Sequence, residues 1–294
     1  MGHRFLRDPA SLTGFLIVGL LLLTALFAPL LAPHDPEPVS LAERLLAPGG
    51  EYPLGTDGLG RCLFSRMLYG ARVTLGYAFV VLMVTLFVGI PAGLLAGYCG
   101  GFIDGVIMRL VDIILAFPNL VFALVVLGIL GPGLLNAMLA LAMLSWVSYA
   151  RIVRGIVLSI KEKEYIAAAR VSGSRGFVLI WRHVLPNVLP PVAILATLDL
   201  GKLVLAFSTL SFLGLGAQPP TPEWGMMIND ARPFMQTFPR LMIIPGAAIA
   251  LTVLGFNLLG DGLRDALDPQ GYAGPADRRE ETRLPNAPAL KGGA

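Results

Sequence analysis

Residues 11–32 read SLTGFLIVGLLLLTALFAPLLA, without a single charge. A bilayer core about 30 Å thick takes roughly 20 helical residues to cross, so this run is long enough to span. The apolar core of a cleaved signal covers only about 7–15 residues, so the segment is read as a retained span. Working outward, residues 73–98 form a second uncharged run. Residues 106–130 form a third, with Arg109 and Asp112 near its start, and 133–157 a fourth, ending in Arg151 and Arg154. The fifth, 184–214, carries Asp199 and Lys202, and the sixth is 241–262. The expectation is an all-α, polytopic membrane protein with six transmembrane helices. Barrel strands would show alternating segments of about ten residues, and no such pattern is present.

Composition agrees. The 294 residues are 55% hydrophobic and 14% charged, with a mean hydropathy of +0.74. Soluble domains carry roughly 25% charged residues, so a water-facing surface of this size is excluded. Disorder needs low hydrophobicity and high net charge and is excluded more firmly. The 34 glycines and 23 prolines fit membrane helices, where both are frequent. A net charge of +3 without a clustered basic face argues against nucleic acid as a partner and leaves membrane lipid as the main surroundings. Cys62 and Cys99 have no metal or redox spacing, and the topology places them on opposite sides of the bilayer, so no disulfide is expected.

Orientation follows from Lys and Arg asymmetry. With six spans, both termini share a side. That side, with the 158–183 loop, holds fifteen Lys and Arg, against six on the other, with Lys202 inside a span. Both termini and the loop are therefore expected in the cytoplasm. The chain divides into an N-terminal span plus extracytoplasmic segment (1–72), a main transmembrane domain (73–268) and a disordered cytoplasmic tail rich in Pro, Gly and charge (269–294). Within the first unit, residues 57–72 place Leu59, Leu63, Met67 and Leu68 at helical spacing, which predicts an amphipathic helix on the membrane surface.

The loop reads SIKEKEYIAAARVSG over 159–173, then SRGFVLIWRHVLPN to Asn187. Ser159 and Glu162 stand in capping-box register. Ala167, Ala168 and Ala169 favour helix and leave a shallow face, and Gly173 sits where a helix would stop and turn. A second short helix follows, and Pro186 marks entry into the fifth span. The residues alone fit either an ordinary basic loop or a compact helix–turn–helix built for close approach by another protein.

The pattern Glu164, Ala168-Ala169, Gly173 and Leu185-Pro186 resembles the signature loop of ATP-driven importer permeases. The peptide-importer branch also tolerates His183 two residues before the Leu. The resemblance extends through PLGTDGLGR at 53–61, MRLVDIILAFPNL at 108–120, LSFLGLGAQPPTPEWG at 210–225 and FNLLGDGLRDALDP at 256–269. These blocks, in this order, are similar to the dipeptide, oligopeptide and nickel branch of binding-protein-dependent ABC importers. Cys62 stands where that branch often has Asp, and Phe207 where many peptide members have Glu. The resemblance implies a permease that forms half of a translocation pathway, with Glu164, Ala168, Ala169, Arg170, Gly173, Leu185 and Pro186 in an ATPase-coupling loop. It also implies a second homologous permease subunit, two ATPase subunits that bind ATP and Mg, an extracytoplasmic binding protein, and a bacterial-type inner membrane. Di- or oligopeptides are the expected cargo, with nickel as the alternative.

Ionisable groups inside spans are costly and are functional candidates by default. Asp199 and Lys202, and likewise Arg109 and Asp112, are three apart and share a helical face. Each pair is expected as an internal ion pair that locks packing, with contacts to cargo along the pathway as the alternative. In residues 214–225, Gln218, Glu223 and Trp224 are candidates for binding-protein docking, with an interfacial Trp anchor weighed equally. No phosphate loop of the Gly-x-x-x-x-Gly-Lys-Ser/Thr kind is present, so the chain is expected not to be an enzyme and to hold no cofactor of its own. None of His3, His34 and His183 lies deep in a span, so no metal site is expected. An ion-coupled secondary transporter should show inverted repeats and broken helices, and a membrane hydrolase needs catalytic sets. Neither signal is visible.

Overall fold

The computed structural model describes residues 8–174 and 176–267. Helices α1 (Pro9–Leu31), α2 (Leu63–Cys99), α3 (Gly101–Leu115) and α4 (Asn119–Leu130) are followed by α5 (Leu134–Lys161) and the short α6 (Glu164–Val171). Then come α7 (Gly176–Leu179), a π-helical turn at Ile180–Val184, α8 (Leu185–Phe212), α9 (Trp224–Ala231) and α10 (Arg240–Leu267). Segment α7, the π-turn and α8 stack into one rod of 37 residues, Gly176–Phe212. Five helices are long and apolar enough to cross a membrane, and α3 with α4 forms a sixth, bent candidate.

The expected third span is therefore corrected. Residues 101–130 are two helices bent by 89° at Ala116–Pro118. The physical reason is Pro118, which supplies no N–H and disfavours helix at the residue before it.

The surface helix expected at 57–72 is also corrected. Leu63 starts α2 itself, and the helix runs through residue 72 without a break. Leu63, Ser65, Arg66 and Leu68 are buried by protein rather than lying on lipid. Upstream, residues 53–62 form a turn with Gly55 and Gly60 at positive φ and an antiparallel bridge between Thr56 and Cys62. Cys62 and Cys99 flank the two ends of α2, whose 37 residues cover about 55 Å at the helical rise. The tail expected at 269–294 lies outside the described residues.

Small residues let the helices close on one another, as membrane bundles require. Gly89, Gly93 and Gly97 form one stripe of α2 against α5. A Cβ on Gly93 would stand 2.6 Å from the Ala150 carbonyl oxygen and from Val153 Cβ. Helix α1 meets α10 in the same way, with Gly14 against Leu258 and Leu259, and Gly262 against Ser11. The outer faces carry large exposed apolar side chains, including Phe87, Phe102, Leu30 and Ile129, as lipid-facing or subunit-facing surfaces do.

One end of the bundle, here termed the lower end, holds the termini of α2 and α5. Arg154 of α5 grips Asp104 of α3 with two hydrogen bonds, one of 2.6 Å, and Lys161 donates to the carbonyls of Gly97 and Tyr98. Residues 32–62 and 213–239 meet at the upper end, where Arg240 donates to the Leu46 carbonyl at 2.6 Å.

Candidate coupling loop and translocation cavity

Helix α6 stands off the lower end. Ile166 is its single buried residue, and Glu164, Ala168 and Arg170 are exposed while Ala169 is half-buried. Ser159 lies inside α5 and caps nothing. Lys163 precedes α6 without a side-chain capping bond. The capping-box expectation fails because α5 keeps its helical backbone through Lys161, leaving only Glu162 and Lys163 as a link. At the far end Ser172 and Ser174 N–H groups return to the Ala168 and Ala169 carbonyls, and Gly173 takes φ +91°. That is the turn expected from Gly173.

The expected second loop helix is not separate: it merges through the π-turn into α8, with Leu185 half-buried and Pro186 exposed at the join. The loop thus bears an exposed apolar set: Val171, Phe177, Val178 and Trp181, with Phe177 and Trp181 stacked at 5.8 Å. Such a patch at the edge of a membrane protein marks a partner surface.

The loop joins α5 directly to the α7–α8 rod, and these two helices wall a cavity of about 430 Å³. Ser145, Ser148 and Tyr149 of α5 and Asp199 and Lys202 of α8 line it, with Thr85 of α2, Asn119 of α4 and an apolar remainder. Lys202 donates to Asp199 at 2.8 Å. The expected burial of this pair is not found: the Lys202 side chain is 73% exposed and that of Asp199 27%. Both residues sit on the cavity face of a single helix, so the bond ties no two helices together.

The pairing of Arg109 with Asp112 is corrected as well. Asp112 instead accepts from Arg151 of α5, across two helices and in an exposed position. Arg151 reaches in from a neighbouring helix, while Arg109 shares only a helical face with Asp112.

At the upper end, Gln218 is exposed, and its amide donates to the Gly214 and Gly216 carbonyls. Glu223 and Trp224 are buried, so neither presents a surface to a docking partner, and Trp224 is no interfacial anchor. The Trp224 indole N–H donates to the Met67 carbonyl at 3.1 Å, and its ring lies against Gly70. Glu223 accepts from the Ser208 and Thr74 hydroxyls and from the Met226 N–H at 2.8 Å, capping α9. Burial pushes its carboxyl above the usual range, although the N–H and hydroxyl donors pull the other way.

The family model described as "Binding-protein-dependent transport system inner membrane component" matches residues 89–270, and the "N-terminal TM domain of oligopeptide transport permease C" matches 1–48. The chain belongs to the inner-membrane component family of binding-protein-dependent transport systems. It is 44% identical to the dipeptide transport system permease protein DppC of Alkalihalophilus pseudofirmus, over 90% of this chain and 87% of that one. It is 42% identical to the nickel transport system permease protein NikC of Escherichia coli, over 86% and 92%. It is 43% identical to the glutathione transport system permease protein GsiD of Pectobacterium atrosepticum, over 91% and 89%. The fold is shared with the MetNI methionine ABC transporter in inward-facing form, at 20% identity and a TM-score of 0.56, covering 70% of this chain and 98% of that one.

As a member of this family, the chain is a permease subunit of a binding-protein-dependent ABC importer, a multi-pass inner-membrane protein. Its family role implies ATPase and substrate-binding partners. Two features of this permease were missed by sequence reasoning. One is the glycine stripe of α2, visible as glycines four apart at 89, 93 and 97. The other is a buried ionic cluster at the upper end. Arg61 contacts Asp57 at 2.7 Å and Asp230 at 2.9 Å, while the nearly inaccessible Arg66 sits 3.6 Å from Asp57 and donates to the Pro36 carbonyl. Two cations and two carboxylates balance there, fastening the 53–61 motif to α2 and α9. No sequence spacing links Arg61 to Asp230, which are 169 residues apart.

Proposed function

We propose that the chain forms half of the translocation pathway of an ATP-driven importer of di- or oligopeptides. A second homologous permease completes the pathway. Two ATPase subunits bind ATP and Mg and dock on α6, and an extracytoplasmic protein delivers cargo at the upper end. Both termini and α6 lie in the cytoplasm. The observation that carries the coupling role is α6 itself: a helix with one buried residue, fixed by a two-residue link to α5 and by the turn at Gly173 to the α7–α8 rod. Closure of the ATPase pair would displace α6 and, with it, both helices that bear the polar groups of the cavity. Rigid-body motion of packed helices is a standard route for such switching. The docked state must favour one arrangement of the spans, because only differential affinity shifts an equilibrium.

Peptide cargo is favoured because the dipeptide and glutathione permeases are relatives at 44% and 43% identity. Nickel is the competing cargo, through the relative at 42%. The test is uptake by the complete importer in proteoliposomes, with labelled dipeptide and with labelled nickel. ATP-dependent dipeptide uptake is expected. Uptake of nickel alone would overturn the cargo reading, and ATP-independent uptake driven by an ion gradient would overturn the mechanism.

A further inference from the structure

We propose that the cavity between α5 and α8 is a transit site for a zwitterion bearing a free amino terminus and a free carboxylate. This rests on the importer reading above and narrows its cargo. Asp199 would receive the ammonium, Lys202 the carboxylate, and the hydroxyls of Thr85 and Tyr149 the peptide groups between them.

The Asp199–Lys202 bond has no structural duty that would explain its presence. Both residues belong to α8, near its middle: Asp199 is 14 residues after Leu185 and 13 before Phe212. A charge at mid-span is costly, and a same-helix pair with an exposed partner returns little of that cost. The Asp199–Lys202 bond itself lies within one helix, so helix packing does not offset the rest.

Two further residues with hydroxyls line the same space. The hydroxyl of Thr85 on α2 is buried and lacks a hydrogen-bond partner among the described residues. That of Tyr149, on α5, faces the Asp199 carboxylate of α8 and interacts with it. Both residues line the cavity that holds Asp199 and Lys202. Buried hydroxyls are ordinarily satisfied, so the unpartnered Thr85 hydroxyl on the cavity wall, with Tyr149 set beside Asp199, indicates a ligand that supplies the missing polar contacts. An apolar cavity with a few convergent polar groups is the usual form of a small-molecule site.

The chemistry selects the ligand class. At rest, Asp199 and Lys202 neutralise each other. An incoming zwitterion exchanges partners: its ammonium replaces Lys202 on the carboxylate, and its own carboxylate takes Lys202. No charge is left unpaired, so the desolvation that opposes passage of a dipolar ion is offset. A bare divalent cation meets the opposite situation. It would find one carboxylate with an ammonium 2.8 Å away, and no group of three or more His, Cys, Asp or Glu exists among the described residues to complete a shell.

The test uses the complete importer in proteoliposomes with three cargoes: a free dipeptide, its C-terminal amide and its N-acetyl derivative. Each variant rate is divided by the wild-type rate for the same cargo, which cancels the selectivity of the binding protein. Lys202→Met should slow the free and N-acetyl dipeptides about tenfold and leave the amide within about twofold. Asp199→Asn should slow the free dipeptide and the amide about tenfold and spare the N-acetyl form. Thr85→Val should slow all three, since its hydroxyl meets the shared peptide group. If both charge variants slow every cargo by one common factor, or none, the transit site is refuted while peptide import stands. A wild-type assembly that carries none of the three peptides overturns the cargo reading and this proposal together.

Discussion

Glu223 is the residue on which the upper end turns. It is fully buried, it caps α9, and it accepts from hydroxyls on two different long helices, Thr74 of α2 and Ser208 of α8. Glu223→Ala would leave those hydroxyls and the Met226 N–H without an acceptor. The expected cost is about 1–3 kcal/mol for each group left unsatisfied, read as a lower melting temperature of the detergent-solubilised protein. Glu223→Gln keeps an acceptor and should be milder. The pH dependence has a definite sign. Burial raises the Glu223 carboxyl above its ordinary 4.5, so the fold favours the protonated form. Its contribution is complete below that value and fades as pH rises through the folded-state value. Wild type should therefore lose stability relative to Glu223→Gln as pH increases, and a parallel pH profile for the two proteins would contradict the assignment. Gly173 is a second residue with a clear requirement. A Cβ there would touch nothing within 4 Å, yet φ is +91°, so substitution acts through the backbone alone. Gly173→Val should cost about 1–2 kcal/mol locally and reduce ATP-driven transport while membrane insertion stays normal. Gly173→Asn, which tolerates positive φ better, should retain more transport. Full transport by the Val variant, with normal ATPase association, would remove Gly173 from the coupling role.

Among the elements, the seam of α2 with α5 would carry motion from the loop in the proposed coupling. Helix α5 carries six cavity residues and ends two residues before α6. Its grip on α2 passes through backbone-close contacts at Gly89, Gly93 and Gly97. Gly93→Ala should separate the helices and cost about 1–3 kcal/mol as overpacking does, whereas Gly76→Ala on the same helix has open space around it and should be near neutral. Equal melting temperatures for the two variants would show that the seam is not close-packed. Elements also show what the sequence could and could not reveal. The long spans were legible because an uncharged run of twenty residues has few other uses. The start of α2 was not. Leu63, Met67 and Leu68 stand at amphipathic spacing, but Trp224 beside Met67, and Met227 and Asp230 beside Leu63, come from more than 150 residues away. The bend at Ala116–Pro118 was signalled by Pro118, but apolar residues on both sides gave it the look of one run. The Asp112 partner was misread because a three-residue spacing identifies a shared helical face, not the nearest partner across helices.

At the scale of the whole molecule, the two ends have different characters. The upper end is locked: Arg61, Arg66, Asp57, Asp230 and Arg240 join residues 34–62 to α2, α9 and α10, and Glu223 ties α2 and α8 to α9. The lower end is looser at α6, whose exposed face carries residues of the importer signature. That signature was readable because Glu164, Ala168, Ala169 and Gly173 lie within ten residues of one another. Of the polar cavity residues only Asp199 and Lys202 were readable, through their spacing on one helix, since Thr85 and Tyr149 sit on other helices. Under the proposed function, the end that bears α6 is the one that faces the ATPase. The sequence count of fifteen Lys and Arg against six supports, by the positive-inside rule, the proposal that the lower end faces the cytoplasm. In a protein whose Cys62 and Cys99 are replaced by Ser, two exposed positions report this directly. Glu51→Cys, on the upper end, should react with a membrane-impermeant thiol reagent in intact cells. Ser172→Cys, at the end of α6, should react only after the cells are opened. The reverse pattern would invert the topology, detach α6 from any cytoplasmic ATPase, and leave the polar walls of the cavity without a source of motion.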